Sequence, residues 1–355
     1  VPEREKSRIF PIFLPHAGCP GRCLFCNQTA QSGTDAATSH IALEQTLSVI
    51  ATELEERRRR AAPPVEVGFY GGTFTALPYP WPERFLHLVA GFQADGIVSK
   101  IRCSTRPDAI TPARLAELAP CGLDTIELGV QTFDDTVLQT SGRHLNADTI
   151  RTACQLVKDA GLRLGIQLLP GLPGHTPEHF FADIDESIRL APDLIRIYPC
   201  LVLRHTGLHT LYKKGLFVPW KEEDTVEALR QVLPRLWAAR IHIARIGLAA
   251  TEELSAAFIA GPHHPAIAAK SAGLALFDTI RPRLHRIPGP KTLFYPARLQ
   301  GMLYGHRGQC RSLYALHHLT TKTMRPWSHP HFALIAGAEM SLQGADSPHS
   351  NQRIA

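Results

Sequence analysis

Three cysteines, Cys19, Cys23 and Cys26, crowd into eight residues as Cys-x3-Cys-x2-Cys on a stretch rich in Gly and Pro, Pro15-His16-Ala17-Gly18-Cys19-Pro20-Gly21. Three thiolates on one tight loop can each hold one iron of a [4Fe–4S] cube and leave the fourth iron without a protein ligand, open to a substrate. A structural zinc site closes its shell with four donors, so zinc would need His16 or a distant cysteine as well. A disulfide framework leaves one of the three unpaired. The other five cysteines, Cys103, Cys121, Cys154, Cys200 and Cys310, are scattered, and those in apolar surroundings read as small buried hydrophobes in a reducing compartment.

Such a loop needs a scaffold, and the sequence supplies a repeating one. Strands are expected at Ile9–Leu14, Val65–Tyr70, Lys100–Ser104, Thr125–Val130, Arg163–Leu169 and Leu194–Cys200. Helices are expected between them at Ile41–Arg60, Trp81–Ala94, Pro112–Leu118, Asp148–Ala160 and Pro177–Leu190. Cys121-Gly122 and Ala160-Gly161 supply helix stops. Strand–helix–strand repeats build a parallel sheet, either doubly wound or a partial (β/α)6 barrel, and in both the chemistry lies beyond the carboxyl ends of the strands. The cysteine loop directly follows the first strand. Glu55-Glu56-Arg57-Arg58-Arg59-Arg60 closes a helix with cations, as the macrodipole favours.

Beyond the sixth strand, helices are expected at Gly207–Lys214 and Glu222–Ala239 and a strand at Ile241–Ile246. The repeat then gives way to Pro-His pairs, one helix-like run at Ala266–Asp278, and a polar end, 344–355, that reads as frayed. The expected division is a core of residues 1–250 and a small C-terminal α/β domain of 251–355. The chain of 355 residues carries 38 Lys+Arg and 32 Asp+Glu. Residues 241–355 hold 12 Lys+Arg against 5 Asp+Glu and ten of the 18 histidines, so the basicity belongs to the C-terminal third. A basic segment of this kind can contact phosphate groups, or can simply be a solvated face. With 44% hydrophobic and 20% charged residues, wholesale disorder and coiled coil are excluded. Neither a signal peptide nor a membrane span is visible, so the expected location is cytoplasmic.

The Cys-x3-Cys-x-Phe-Cys loop after the first strand of this repeat resembles the radical S-adenosylmethionine (radical SAM) superfamily. The resemblance implies a partial (β/α)6 TIM-like barrel, a [4Fe–4S] cluster held by Cys19, Cys23 and Cys26, and S-adenosylmethionine bound at the open iron and cleaved to a 5′-deoxyadenosyl radical that abstracts hydrogen. An external electron donor such as flavodoxin or ferredoxin is implied with it. By the same resemblance, Phe25 belongs to the cofactor site, and Gly71, Gly72 and Thr73 in Tyr70-Gly71-Gly72-Thr73-Phe74 hold the methionine ammonium. Ser104 and Gln131 contact the ribose or methionine end, Arg143 pairs with the methionine carboxylate, and Gln167 and the backbone near Leu201 lie on the adenine side.

Gly-Gly-Thr-Phe, Ser-Thr-Arg-Pro-Asp and Gly-Val-Gln-Thr are most similar to the group containing the Elongator catalytic subunit and the oxygen-independent coproporphyrinogen III oxidases. This chain departs from the Elongator subunit in its closer cysteine spacing, and residues 241–355 show no acetyltransferase phosphate loop. A second cysteine cluster is absent from the sequence. His264, in Pro262-His263-His264-Pro265, is a substrate-side candidate. Three functions follow. The first is a radical SAM enzyme acting on an RNA or tRNA base, presented by the basic C-terminal domain, or on a small metabolite. The second is a non-catalytic or haem-trafficking descendant, and the third a zinc-bound RNA-interaction module.

Overall fold

The computed structural model describes residues 8–21, 23–32, 39–337 and 353–354. Its strands are β1 (Arg8–Phe13), β2 (Val65–Tyr70), β3 (Val98–Thr105), β4 (Thr125–Gln131), β5 (Arg163–Leu168), β6 (Leu194–Ile197), a short β7 (Val202–Leu203), β8 (His242–Ile246) and β9 (Phe258–Ala260). They are followed by β10 (Lys291–Pro296), β11 (Met324–Trp327), β12 (Phe332–Ala336) and β13 (Arg353–Ile354). Seven of them form one sheet in the order β1-β2-β3-β4-β5-β6-β8, every neighbouring pair parallel. The order never reverses. A doubly wound sheet has a switch point where it does, so this chain winds in one direction only and the sheet curls into a partial barrel.

The helices between the strands form where expected, with Trp81–Ala94, Pro112–Leu118 and Pro177–Leu190 matching to the residue. Thr111, Asn146 and Thr176 cap their helices, each side chain accepting from the backbone N–H three residues on. Gly122 and Gly161 take the positive φ that stops the chain before β4 and β5. The cations at 57–59 close the helix His40–Arg59, and Arg58 and Arg59 pair with Glu55 and Glu56 one turn back.

The strands are less uniformly apolar than their composition implies. Val67 and Phe69, Ile101 and Cys103, Ile126 and Leu128, and Ile166 and Leu168 are buried, and Phe69 meets Phe85 of the helix Trp81–Ala94 at 5.5 Å. The alternating positions carry Glu66, Arg102, Glu127 and Arg196, also buried, and these bond to one another on the opposite face. One face thus packs on helices while the other lines the inside of the curl. The five scattered cysteines are all buried and unpaired, as expected of small core residues.

Two compact units emerge, Val1–Glu222 with Leu236–Pro265, and Glu223–Arg235 with Ala266–Ala355. The second contains a four-stranded sheet in the order β11-β10-β12-β13, with β10 and β11 parallel and the other pairs antiparallel. Its core includes Phe294 against Trp327 and an edge-to-face contact of Phe277 with Tyr314. The expected helix at 266–278 runs on to Arg286, continuing through Pro282. The sixth strand stops at Ile197, three residues short of Cys200, because Tyr198-Pro199-Cys200 turns toward the loop after β5, where Cys200 N–H donates to Pro170 O. Of the polar end read as frayed, only Arg353–Ile354 lies within the described residues, and it pairs with β12. Among the described residues no helix is long and apolar enough to cross a membrane.

Candidate active site

The loop after β1 is tied into a compact knot. His16 takes a positive φ, Cys19 N–H donates to His16 O, Cys26 N–H donates to Cys23 O, and His16 N–H donates to the Gln28 side chain, joining the two ends of the loop. The loop then interlocks with the turn after β2. Thr73 N–H donates to Ala17 O at 2.8 Å. A Cβ on Gly72 would stand 2.0 Å from Ala17 O, and one on Gly18 2.4 Å from Thr73 O. These glycines are therefore required by the approach of two backbones, a reason the sequence reading did not supply. Thr73 is buried, with Oγ1 3.2 Å from Cys19 Sγ.

The other side of the loop is held by later strand ends. Leu24 N–H donates to Ser141 O at 3.1 Å and Leu24 O accepts from Leu208 N–H at 2.8 Å. Phe25 lies against the apolar cluster of Val137, Leu169, Leu172 and Cys200. Three thiols are thereby held in electrostatic reach of one another. Burial, then Cys23 and Cys19, push the Cys26 thiol up to about 12, while Arg143 opposes this.

Positive charge is supplied where the thiolates would need it. Arg143 is 4% exposed; its guanidinium reaches Cys23 Sγ at 3.6 Å and Gly129 O, while its Nε has no partner. Burial holds this guanidinium below the usual arginine range, and Cys23 works against that shift. Arg106 also reaches Cys23 Sγ, at 3.9 Å, while clamped by Asp108 through bonds of 2.9 and 2.6 Å. A buried guanidinium with an unmet donor is a seat for an anion such as a carboxylate.

At the end of β4 the register shifts between Gly129 and Gln131, and Gln131 takes φ +74, a left-handed conformation uncommon for a non-glycine and a frequent companion of binding sites. Its Oε1 accepts from Gln167 Nε2 at 3.4 Å, so the two predicted glutamines meet. Ser104, in register with Glu127, borders a narrow crevice with Tyr70 and Gly72. Leu201 is buried beside β7. His264 sits in the loop after β9, where Gly261 packs on the Cys200 and Leu201 backbone.

Two features escaped the sequence reading. Arg106 stands in a motif that was read for Ser104 alone. Behind the mouth, Glu66, Arg102, Glu127, Arg196 and Tyr70 form a closed ladder. Arg102 donates to Glu66 at 2.7 Å and Glu127 at 2.9 Å, and Arg196 donates to Glu127 at 2.5 Å and to Tyr70 Oη at 3.0 Å. The period-2 placement of Glu127 and Arg196 between apolar neighbours was the available signal.

Among the described residues no three His, Cys, Asp or Glu side chains converge on one metal position, the demand of a mononuclear site. A cube instead takes one thiolate at each of three corners. The donor set, its flanking guanidiniums and the orphaned Arg143 Nε fit a three-thiolate cluster carrying an anionic ligand.

A model of the radical SAM superfamily matches residues 13–186, and one of the radical SAM C-terminal domain matches 192–272. The tRNA uridine(34) acetyltransferase of Methanocaldococcus jannaschii is 30% identical over 266 residues, 64% of this chain and 49% of that protein. The chain thus spans about half the length of that curated relative. In fold it is similar to the archaeal Elp3 of Methanocaldococcus infernus, with a TM-score of 0.54, 21% identity, and coverage of 72% of this chain and 59% of that one. It is also similar to coproporphyrinogen III oxidase of Escherichia coli, with a TM-score of 0.50, 18% identity, and coverage of 66% and 52%.

Proposed function

From the premise that this chain belongs to the radical SAM superfamily, whose cofactors are a [4Fe–4S] cluster and S-adenosylmethionine, we propose that it is an enzyme using them to abstract hydrogen from an RNA of the tRNA type. When bound, the cluster would supply the single electron, and S-adenosylmethionine the carbon-centred oxidant, for hydrogen abstraction. Cys19, Cys23 and Cys26 are the ligands. Thr73 and Arg106 orient and charge-balance the thiolates at Cys19 and Cys23. Arg143 offers its free Nε–H to the methionine carboxylate, and Gln131 with Gln167 forms the polar wall toward the nucleoside. Phe25 and its apolar neighbours keep water away from that end.

The observation that carries this reading is the buried, incompletely bonded Arg143 directly on the cysteine loop. RNA as substrate is supported by the tRNA-modifying relative and by the exposed cations of the second unit, among them Arg286, Arg298, Arg307 and Lys322. An external one-electron donor is required by the stoichiometry. The test is anaerobic reconstitution with iron and sulfide, followed by reduction with S-adenosylmethionine and tRNA. 5′-Deoxyadenosine whose yield rises with tRNA supports the proposal. Absence of 5′-deoxyadenosine points to a non-catalytic descendant, and a yield indifferent to RNA points to a small-molecule substrate.

A further inference from the structure

Immediately after β7 the chain runs Arg204-His205-Thr206 into the helix Gly207–Lys213. Arg204, His205, His209 and Lys213, with Thr206, Gly207 and Thr210, line an open depression of about 550 Å³. Its wall is fixed to the cysteine loop. Asn27 Nδ2 donates to Arg204 O at 2.8 Å, Leu208 N–H donates to Leu24 O at 2.8 Å, and a Cβ on Gly207 would stand 2.5 Å from Leu24 Cδ2. Leu24 is the residue after Cys23, so the depression adjoins the backbone that presents the thiols.

The charge of this surface is unbalanced. Among the described residues no carboxylate contributes to the lining, and none of the four side chains makes an ion pair with Asp or Glu. Elsewhere in this unit surface arginines find carboxylates, as Arg84 does with Glu44, Arg114 with Glu83, and Arg151 with Glu186. His209 and Lys213 lie four residues apart and share one helix face. Partial burial, then Lys213, Arg204 and His205, hold the His209 imidazole below its ordinary range, which leaves Arg204 and Lys213 as the fixed positive charges of this surface. Arg204 is braced by a bond from Nε to Ala256 O at 3.2 Å. Neighbouring cations with no counter-charge among the described residues are relieved by an external anion. Single phosphoryl groups are usually cradled by successive backbone amides on glycine-rich turns. Here the donors are side chains spread around a wide, open surface, which suits a run of phosphodiesters.

We infer that the depression lined by Arg204, His205, His209 and Lys213 is a phosphate-recognition site that holds the backbone of a nucleic-acid strand against the outside of the cysteine loop. The inference deepens the RNA reading proposed above and rests on it. It assigns part of the affinity to the barrel unit, separately from the basic second unit.

The experiment measures binding of a fluorescein-labelled tRNA transcript to the full, anaerobically reconstituted chain by anisotropy across a salt series. Arg204→Glu/Lys213→Glu is expected to weaken binding about tenfold or more and to flatten the slope of log affinity against log salt by about 1.5. Cluster absorbance of the variant, equal to that of the parent, shows that the loop is intact; Lys213→Gln, which only removes charge, is expected to fall between parent and double variant. Arg286→Glu/Lys322→Glu reads the second unit separately. Parallel salt lines for parent and double variant overturn the inference and leave the RNA reading standing. A parent chain with no affinity for tRNA at low salt overturns both. Competition by polyglutamate at the RNA's own affinity, or by adenosine monophosphate, would replace the strand with an acidic protein or a single phosphate, and so also overturn it.

Discussion

The barrel holds two groups of polar side chains, one largely buried and the other a mix of buried and half-buried, and they differ in whether their bonds are complete. In the ladder Glu66–Arg102–Glu127–Arg196–Tyr70, two carboxylates meet two guanidiniums, and the phenol closes the chain. At the mouth, three thiols stand together with Arg143 and Arg106, Arg143 lacks a partner at Nε, and Gln131 is held in a strained conformation. A closed polar network rigidifies the structure, whereas a buried guanidinium left incomplete, as Arg143 is, marks the place where a ligand completes it.

The largest effect expected from this contrast is at the mouth. Cys23→Ala should abolish cluster assembly, measured as iron and sulfide content and visible absorption, with secondary structure by circular dichroism unchanged. At the ladder the order should invert. Glu127→Ala leaves the buried Arg196 without a carboxylate and Arg102 with Glu66 alone, and should cost about 3–5 kcal/mol of stability, read as a fall in Tm or in denaturant midpoint, with iron per folded molecule preserved. Equal loss of iron in both variants would erase the distinction. Gly72→Ala falls between them. Its Cβ cannot coexist with Ala17 O, so the loop must shift, costing about 1–3 kcal/mol together with a several-fold loss of iron retention on dialysis.

How far these two regions were legible in the sequence differs for a physical reason. Cysteine spacing and its position after a strand are local, and they marked the mouth directly, as did Gly-Gly-Thr at the next strand end. The interlock of Gly18 with Gly72 joins residues 54 apart, and no local pattern announces it. The ladder spans four strands, so its partners appear only once the register sets Ser104 beside Glu127 and Gln167 beside Arg196. The strand–helix repeat pointed to a parallel sheet because each unit buries its own apolar face, while the choice of a barrel over a doubly wound sheet came from the family resemblance. The small C-terminal α/β domain was expected, but its strands were not placed in the sequence because Lys291–Pro296 and Phe332–Ala336 pair across an intervening stretch with no periodic repeat.

Two smaller effects sharpen the comparison. Arg143→Lys keeps the charge but removes the fork, and should weaken S-adenosylmethionine binding about tenfold by calorimetry while moving Tm little. The ladder should also carry a pH signature. Burial pushes the Glu127 carboxyl up, but Arg196 and Arg102 outweigh it and hold it below the usual carboxylate range. A depressed folded-state pKa gives stability that is present above the unfolded value, about 4.3, and lost as pH falls through the folded one. Tm of the parent should therefore fall more steeply on acidification below about pH 4.5 than Tm of Glu127→Gln. Identical acid limbs would assign that stability elsewhere.

The central claim is that Cys19, Cys23 and Cys26 hold a cube with one corner left for S-adenosylmethionine. Mössbauer spectroscopy of chain reconstituted anaerobically with enriched iron, recorded with and without S-adenosylmethionine, tests it most directly. The expected result is a [4Fe–4S] signal in which one iron site in four changes on addition and three do not. Four irons indifferent to S-adenosylmethionine, or no iron–sulfur signal in correctly folded protein, would contradict it.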